Sequence, residues 1–598
     1  MSRRVFLLLA LVSLALLAVA AEPWTLTGGG FAGAVAQHLR SAYGLDLTIR
    51  GRSTFALLPV PRIKLENVAL AANGVAAEGG TLRGELRLWP LLRGRVDLSR
   101  IALSESRIVL ASGPAELADK AFADGLKARL DAIPSLRRLV VTNTSVSWPQ
   151  GSLGDVDLVL SRPGGGEWLE AAGSLEWRGE RVEIAQSSFA PALASDLSGP
   201  FTLELAAPGA QFSLTGEVGG AAEPRIAGRG TVALRSPRDF SLWSGIAFPL
   251  GSLARSVSVQ GAFTADRRRL TWPSVSLSLG PDLLEGTLSV RLDGPRPLVT
   301  GTLAANQLDL SDFFLPFMQA RTASGLWSSE DVSVRAATGG DLDLRLSAAE
   351  ATIGRLKLAD MAASVLVRPG RIEASLGRAG LNKGIVKARL TLVDLTEGAD
   401  LKAHGTFDGV EMATFLADLG QARWLTGLAQ GQFNLETSGS TVVDLVRQSH
   451  GRAAITVRQG ELVGIGLNDA LRRVEKRPLL ASTEWKGGRT PFETAQVNLN
   501  VGAGVGEITE GSLLAPTLRT ALQGRVSLVE RAVAIRALVD PTAPSPLPSP
   551  LMTLDVVGGW DDVAIVPDVK SLIERSGAAQ RLLPSQIIPR SPPVANAQ

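Results

Sequence analysis

From about Gly51 to Val566, aliphatic and polar residues alternate with period two in short runs that end at Gly, Pro, Asp or Asn. The clearest runs place Phe201, Leu203 and Leu205 on one side, then Val275, Leu277 and Leu279, Leu288 and Val290, Leu342, Leu344 and Leu346, and Val497, Leu499 and Val501. Fainter alternation joins Leu86 to Leu88, Val96 to Leu98, Val365 to Val367, Leu390 to Leu392 and Val526 to Leu528. Successive strand side chains point to opposite faces, so each run predicts a strand with one aliphatic and one polar face. The spacing predicts roughly 25 strands of about four to seven residues, joined as antiparallel meanders. Helical periodicity is confined to 31–43, 115–130, 411–419, 442–448, 468–474 and 569–575. These segments interrupt the strands rather than alternate with them, which argues against a doubly wound α/β sheet.

So many one-faced strands need cover for their aliphatic side. Joined in one sheet they would make a ribbon of roughly 120 Å at about 4.8 Å per strand. Curling that ribbon makes a groove with Leu, Val, Ile and Ala inside and Ser, Asp, Arg and Thr outside. The expected fold is mainly β: a long antiparallel sheet curled into a groove, with a few short helices and one N-terminal transmembrane helix. Aromatic residues are only 5% of the chain, so the wall is aliphatic and suits acyl chains. A string of β-sandwiches would produce the same alternation.

The N-terminus breaks the pattern. Arg3 and Arg4 precede an uncharged run at 5–21 containing Val5, Phe6, Leu7, Leu8, Leu9, Leu11, Val12, Leu14, Leu16, Leu17 and Val19. That length spans a bilayer at the short end of the usual range, and the flanking arginines place the N-terminus in the cytoplasm. Ala18 to Ala20 also fits a signal-peptidase site, but the run is longer than a usual signal core, which favours a retained anchor. Both readings export the rest. The expected layout is a cytoplasmic stub (1–4), the anchor (5–21), a short helical region (22–50), a repeated β-groove region (51–400), a C-terminal β region (401–540) and a Pro-rich loop, last strand, short helix and tail (541–598).

Composition removes other functions. With 61 Lys+Arg against 58 Asp+Glu the chain lacks the basic excess of a nucleic-acid binder, and no nucleic-acid partner is expected. The absence of cysteine rules out thiolate nucleophiles and cysteine-held metals, and it suits an oxidising compartment. His38, His404 and His450 are isolated, and GxSxG and Walker A motifs are absent. Gly28 to Gly33 matches GxGxxG formally, yet follows an apolar span rather than a strand, so it reads as a flexible exit from the membrane. The acidic pairs Asp155 with Asp157 and Asp341 with Asp343 lie on the polar faces of predicted strands. No enzyme activity, catalytic residue, metal or cofactor is expected. A glycan-active β-solenoid would need clustered carboxylates, and an outer-membrane barrel would need aromatic girdles that a single tyrosine and scattered Trp and Phe cannot supply.

Two stretches carry a family resemblance. Near the N-terminus the order is Ile49 and Gly51, then Leu57, Pro59, Pro61 and Ile63, then Leu88, Trp89, Pro90, Leu91, Leu92 and Gly94. Further on come Gly405, Phe407, Gly409 and Met412; Gly427, Gly431 and Phe433; Gly451; Gly460, Leu462, Gly464 and Leu467; and finally Gly558, Gly559, Trp560 and Asp561. Gly301 and Leu303 leading to Leu308 are echoed by Gly405 and Phe407 leading to Val410, as if related β units recur. This arrangement resembles the AsmA family of bacterial envelope proteins. The resemblance implies a single-pass inner-membrane protein with its bulk in the periplasm, similar to bridge-like lipid-transfer proteins. It also implies phospholipids and the inner membrane as partners, the outer membrane or its proteins as a further one, and a part in outer-membrane homeostasis. The groove candidates are then Leu86, Leu88, Val96, Leu98, Leu203, Leu205, Val275, Leu277, Leu279, Leu288, Val290, Leu342, Leu344, Leu346, Val497, Leu499, Val501, Val526 and Leu528. A scaffold for outer-membrane assembly that carries no lipid is the alternative.

Overall fold

The computed structural model describes residues 22, 24–25, 29–44, 46–72, 74–93, 96–113, 136–163, 168–189, 199–219, 225–246, 248–250, 255–318, 327–329, 331–332, 334–396, 398–476, 486–544, 549–560, 562–570 and 573. The fold is mainly β, with 31 strands among these residues against the roughly 25 expected from the turn spacing. The chain forms two compact units, one holding most residues up to Leu298 and the other most of those from Val299.

In the N-terminal unit the long strand Arg62–Ala72 is paired along its length by two shorter ones, Asp46–Ile49 and Ser53–Ala56. The break falls at Gly51, where an added Cβ would sit 2.3 Å from the Glu66 carbonyl oxygen. Only glycine lets the chain pass so close. On the other side Val75–Leu86 pairs with both Leu98–Ser104 and Arg107–Leu110. Arg138–Trp148 then pairs parallel to those two strands, a departure from the expected all-antiparallel meander. A parallel neighbour needs a long crossover, and the stretch after Leu110 is long enough to supply one. From there antiparallel neighbours follow in chain order to Arg269–Leu279.

The C-terminal unit is a simpler ladder. Every strand from Asp341–Ile353 to Asp562–Pro567 pairs antiparallel with the next in sequence. Tight hairpins set the register: Asn382 and Lys383, or Ala503 and Gly504, take two successive positive φ angles and reverse the chain with the twist that antiparallel strands prefer.

The helices Gly29–Tyr43, Met412–Asp418, Val442–Arg447 and Leu467–Lys476 lie where the periodicity predicts them. The first begins inside the glycine run that read as a flexible exit. Three more helices, Leu88–Leu92, Pro237–Ser244 and Ser311–Met318, were not predicted. The 115–130 helix and the 5–21 anchor fall outside the described residues, as does most of the 569–575 helix; among the described residues no helix is long and apolar enough to cross a membrane.

Candidate functional site

Register turns one-faced strands into rows, because directly paired residues point to the same side of a sheet. In the N-terminal unit one row runs Leu65, Leu82, Leu103, Val141, Leu158, Gly173, Ile184, Leu205, Phe212, Val232, Val259, Leu277, each residue paired with the next. Beside it Glu204, Ser213, Thr231, Gln260 and Ser276 form a polar row on the opposite face. The C-terminal unit repeats the arrangement over its whole ladder: Leu344, Val365, Ala374, Leu390, Ala403, Leu435, Gly451, Val501, Gly506, Val526, Val533, Gly558, Val563. Its polar counterpart begins Arg345, Ser364, Ser375, Arg389, His404, Asn434, Arg452.

Both aliphatic rows are incompletely covered. From Val141 to Val259, and from Leu344 to Leu435, the side chains are half-buried rather than buried. A second sheet packed face to face would bury them, as sandwich cores are buried. Cover is local. At the start of the N-terminal unit the helix Gly29–Tyr43 lays Val35 and Leu39 on Ile63, Leu65, Leu82 and Leu98, leaving a wholly apolar gap of about 40 Å³ beneath it. Further along, Phe240 of Pro237–Ser244 packs on Phe212 of the aliphatic row. The same helix is pinned where Trp243 donates to the Trp177 carbonyl at 3.0 Å and Arg178 donates to the Trp243 carbonyl at 3.0 Å.

In the C-terminal unit a strap runs along one rim. The Trp327 indole donates to the Leu528 carbonyl at 2.9 Å, the Val332 amide donates to the Ser440 carbonyl at 2.9 Å, and Arg335 reaches Asp394 at 3.0 Å. Between them Val334 is buried against Ile372, Leu392, Ala399 and Leu401, of which Ile372, Leu392 and Leu401 form a cross-strand aliphatic row next to the main one. The helix Val442–Arg447 lies beside the strap: Thr441 accepts the Asp444 amide, and buried Thr437 donates to the Leu445 carbonyl. Hydrogen bonds from Thr441 and Ser440, with Arg447 nearby, hold the Asp444 carboxyl below its ordinary range. Nearer the chain end Leu467–Lys476 packs on Lys486–Gly502 and Ala532–Pro541, and Leu518, Val539, Leu551 and Met552 are buried there.

The glycines of the recurrent motif acquire a physical role here. Gly405 pairs with Phe433 and Gly431 with Phe407, so each phenyl ring lies over the glycine opposite. A Cβ on Gly405 would sit 2.5 Å from the Phe433 ring, and one on Gly431 would sit 2.6 Å from that of Phe407. Phe492 covers Gly460 in the same way. These rings fill space that glycine leaves open on a strand.

The candidate residues divide accordingly. Leu205, Leu277, Leu344, Val501 and Val526 lie in the main rows, and Leu203, Val275, Leu279, Leu346 and Leu499 lie on the same faces. Val497 extends the face along its strand, while Leu342 and Leu288 are buried and Val290 half-buried. Five candidates need correction. Leu88 is the first residue of an exposed helix, because Pro90 cannot continue a strand ladder. Val96 precedes the strand Leu98–Ser104 and packs against the helix-covered core. Leu86 and Leu98 are paired as expected but lie sealed in that core rather than on an open wall. Leu528 lies in the turn after Leu518–Ser527, where its carbonyl holds the strap.

Sequence reading missed Phe212, Val232 and Val259, whose strands are interrupted by glycines, and Val334, whose segment has no periodicity. The polar face carries cross-strand ion pairs: Lys402 reaches its partner Glu436 at 3.0 Å, which raises the lysine pKa, and Arg536 reaches Asp555 at 2.8 Å. An open pocket of about 600 Å³ near Gln430, Arg458 and Glu493 lies by Gly409 and Gln459, both with positive φ, away from the main row. Among the described residues no cluster of three or more His, Asp or Glu could hold a metal ion.

No curated protein and no solved structure matches the chain. The AsmA family model matches residues 295–510, a segment that contains the strap, the glycine–phenylalanine pairs and much of the second aliphatic row. The match takes in the expected resemblance from Gly405 to Leu467 but neither the stretch from Ile49 to Gly94 nor Gly558 to Asp561, and it makes residues 295–510 a segment similar to the AsmA family.

Proposed function

We propose that the chain is an inner-membrane anchored periplasmic protein that holds phospholipid acyl chains against its aliphatic β face and so serves lipid movement between the envelope membranes. The observation that carries this reading is the pair of apolar rows whose stretches from Val141 to Val259 and from Leu344 to Leu435 remain half-exposed. Aliphatic area left in contact with water costs roughly 25 cal/mol per Å² relative to burial, so such a face favours an apolar occupant. Acyl chains suit it: they are flexible, lack polar groups and demand no hydrogen-bonding partners from an aliphatic wall. The AsmA-like segment at 295–510 fits an envelope role of this kind. Headgroups would remain in water at the rim opposite the strap.

The test is native mass spectrometry with lipid extraction on the exported region, 22–598. Several phospholipids bound per chain support the reading. A lipid-free particle rejects it and favours a scaffold.

A further inference from the structure

The first strands of the N-terminal unit share an edge. Trp24 opens the strand Trp24–Thr25 and pairs with Phe55; Ala56 closes its own strand opposite Arg62, and Arg62 in turn pairs with Glu85 near the end of Val75–Leu86. Register thus brings Trp24, the 57–61 turn and the helix Leu88–Leu92 to one rim. In the sequence only Glu22 and Pro23 separate Trp24 from the apolar 5–21 run.

This rim is unusually apolar for a solvated edge. Trp89 is 71% exposed, Leu92 69%, Trp24 49%, Leu88 46% and Val60 45%. The helix Leu88–Leu92 has no buried residue and no side-chain cap, so little in its own packing explains why Trp and Leu occupy its outer positions. Arg62, Arg87 and Arg93 are exposed around it, with Arg87 also reaching Asp97 at 3.4 Å. Tryptophan concentrates at membrane interfaces, and nearby arginines favour anionic headgroups.

We propose that this rim is a membrane-contact surface. Trp89 and Leu92 enter the headgroup layer of the bilayer that holds 5–21, and the arginines meet its anionic phospholipids. The inference rests on reading 5–21 as a retained anchor. It adds that the first strands are seated against the membrane by a second contact, rather than hanging from one helix by a short linker. Such a seat would bring the beginning of the aliphatic face to the lipid surface.

The lack of native cysteine makes the test clean. The full chain carrying Leu92→Cys, with Trp89→Cys as a second position, is reconstituted into phosphatidylethanolamine–phosphatidylglycerol vesicles and labelled with an environment-sensitive fluorophore. Ser213→Cys on the polar face of a strand is the control. The expected result is blue-shifted emission at both rim positions, quenched several-fold more than the control by headgroup spin-labelled lipids. Rim labels as wet as the control, in protein that floats with the vesicles, overturn the contact and leave the anchor standing. Protein that fails to float overturns both. A dry label that lipid probes do not quench assigns the rim to a protein partner, such as a second copy, and overturns the membrane assignment.

Discussion

Gly405 and Gly431 each face a phenyl ring across the same pair of strands, and this reciprocal arrangement explains residue identities that periodicity leaves unexplained. A side chain at either position must displace the ring that covers it, and overpacking of that kind costs about 1–3 kcal/mol. Gly431→Val is therefore expected to lower the thermal midpoint of the C-terminal unit, and Phe407→Ala combined with it to recover part of the loss; calorimetry on the double-mutant cycle checks the coupling. Gly51 is stricter, because its neighbour is the Glu66 carbonyl rather than a movable ring. Gly51→Ala should open the paired backbone there, read as faster amide exchange at Arg50 and Glu66, whose hydrogen bonds flank the glycine.

Elements add cover to the rows. The strap is held by a few hydrogen bonds and one buried valine, so burying a charge at that point should detach it. Val334→Asp is expected to raise amide exchange at Val332 and Val443, whose bonds tie the strap to the rim, while the strands keep their protection. The neighbouring helix Val442–Arg447 should respond to acid. Because the Asp444 carboxyl titrates below its unfolded value, its contribution is complete above that value and is lost as pH falls through the lowered one. Amide exchange of this helix should accelerate in acid, at pH values below the ordinary aspartate range of about 3.9, and Asp444→Asn should remove that step.

For the whole molecule, the aliphatic rows should act as lipid contacts in both units. Leu344→Glu or Leu499→Glu places a charge on the open face, where it can still reach water, so the fold should survive while photocrosslinking to phospholipid falls. Val232→Glu tests the same property in the N-terminal unit. Retained crosslinking with an unchanged circular dichroism spectrum in all three variants would reject lipid binding on this face. A substitution on the polar row, such as Asn434→Asp, should leave crosslinking unchanged.

Much of this molecule is written locally. Period-two alternation requires one-faced strands wherever it occurs, since neighbouring side chains must diverge, and that argument alone identified Leu203, Leu277, Leu344 and Val501 as wall residues. Helix signals were equally local: Ser236 accepting the Asp239 amide, Pro237 in the first turn and left-handed Gly245 mark Pro237–Ser244, although its short length left it unread. Tertiary structure decided the rest. Alternation specifies which residues share a face within a strand but says nothing about which residue stands opposite, because backbone hydrogen bonding is the same at every register. Only pairing showed that Leu65 and Leu277 end one row, that Arg138–Trp148 joins the sheet in parallel, and that Leu86 is sealed under a helix while Leu344 stays open. Val334 shows the limit most plainly: its burial depends on strands that follow it by some 40 to 70 residues, a distance that no local pattern spans.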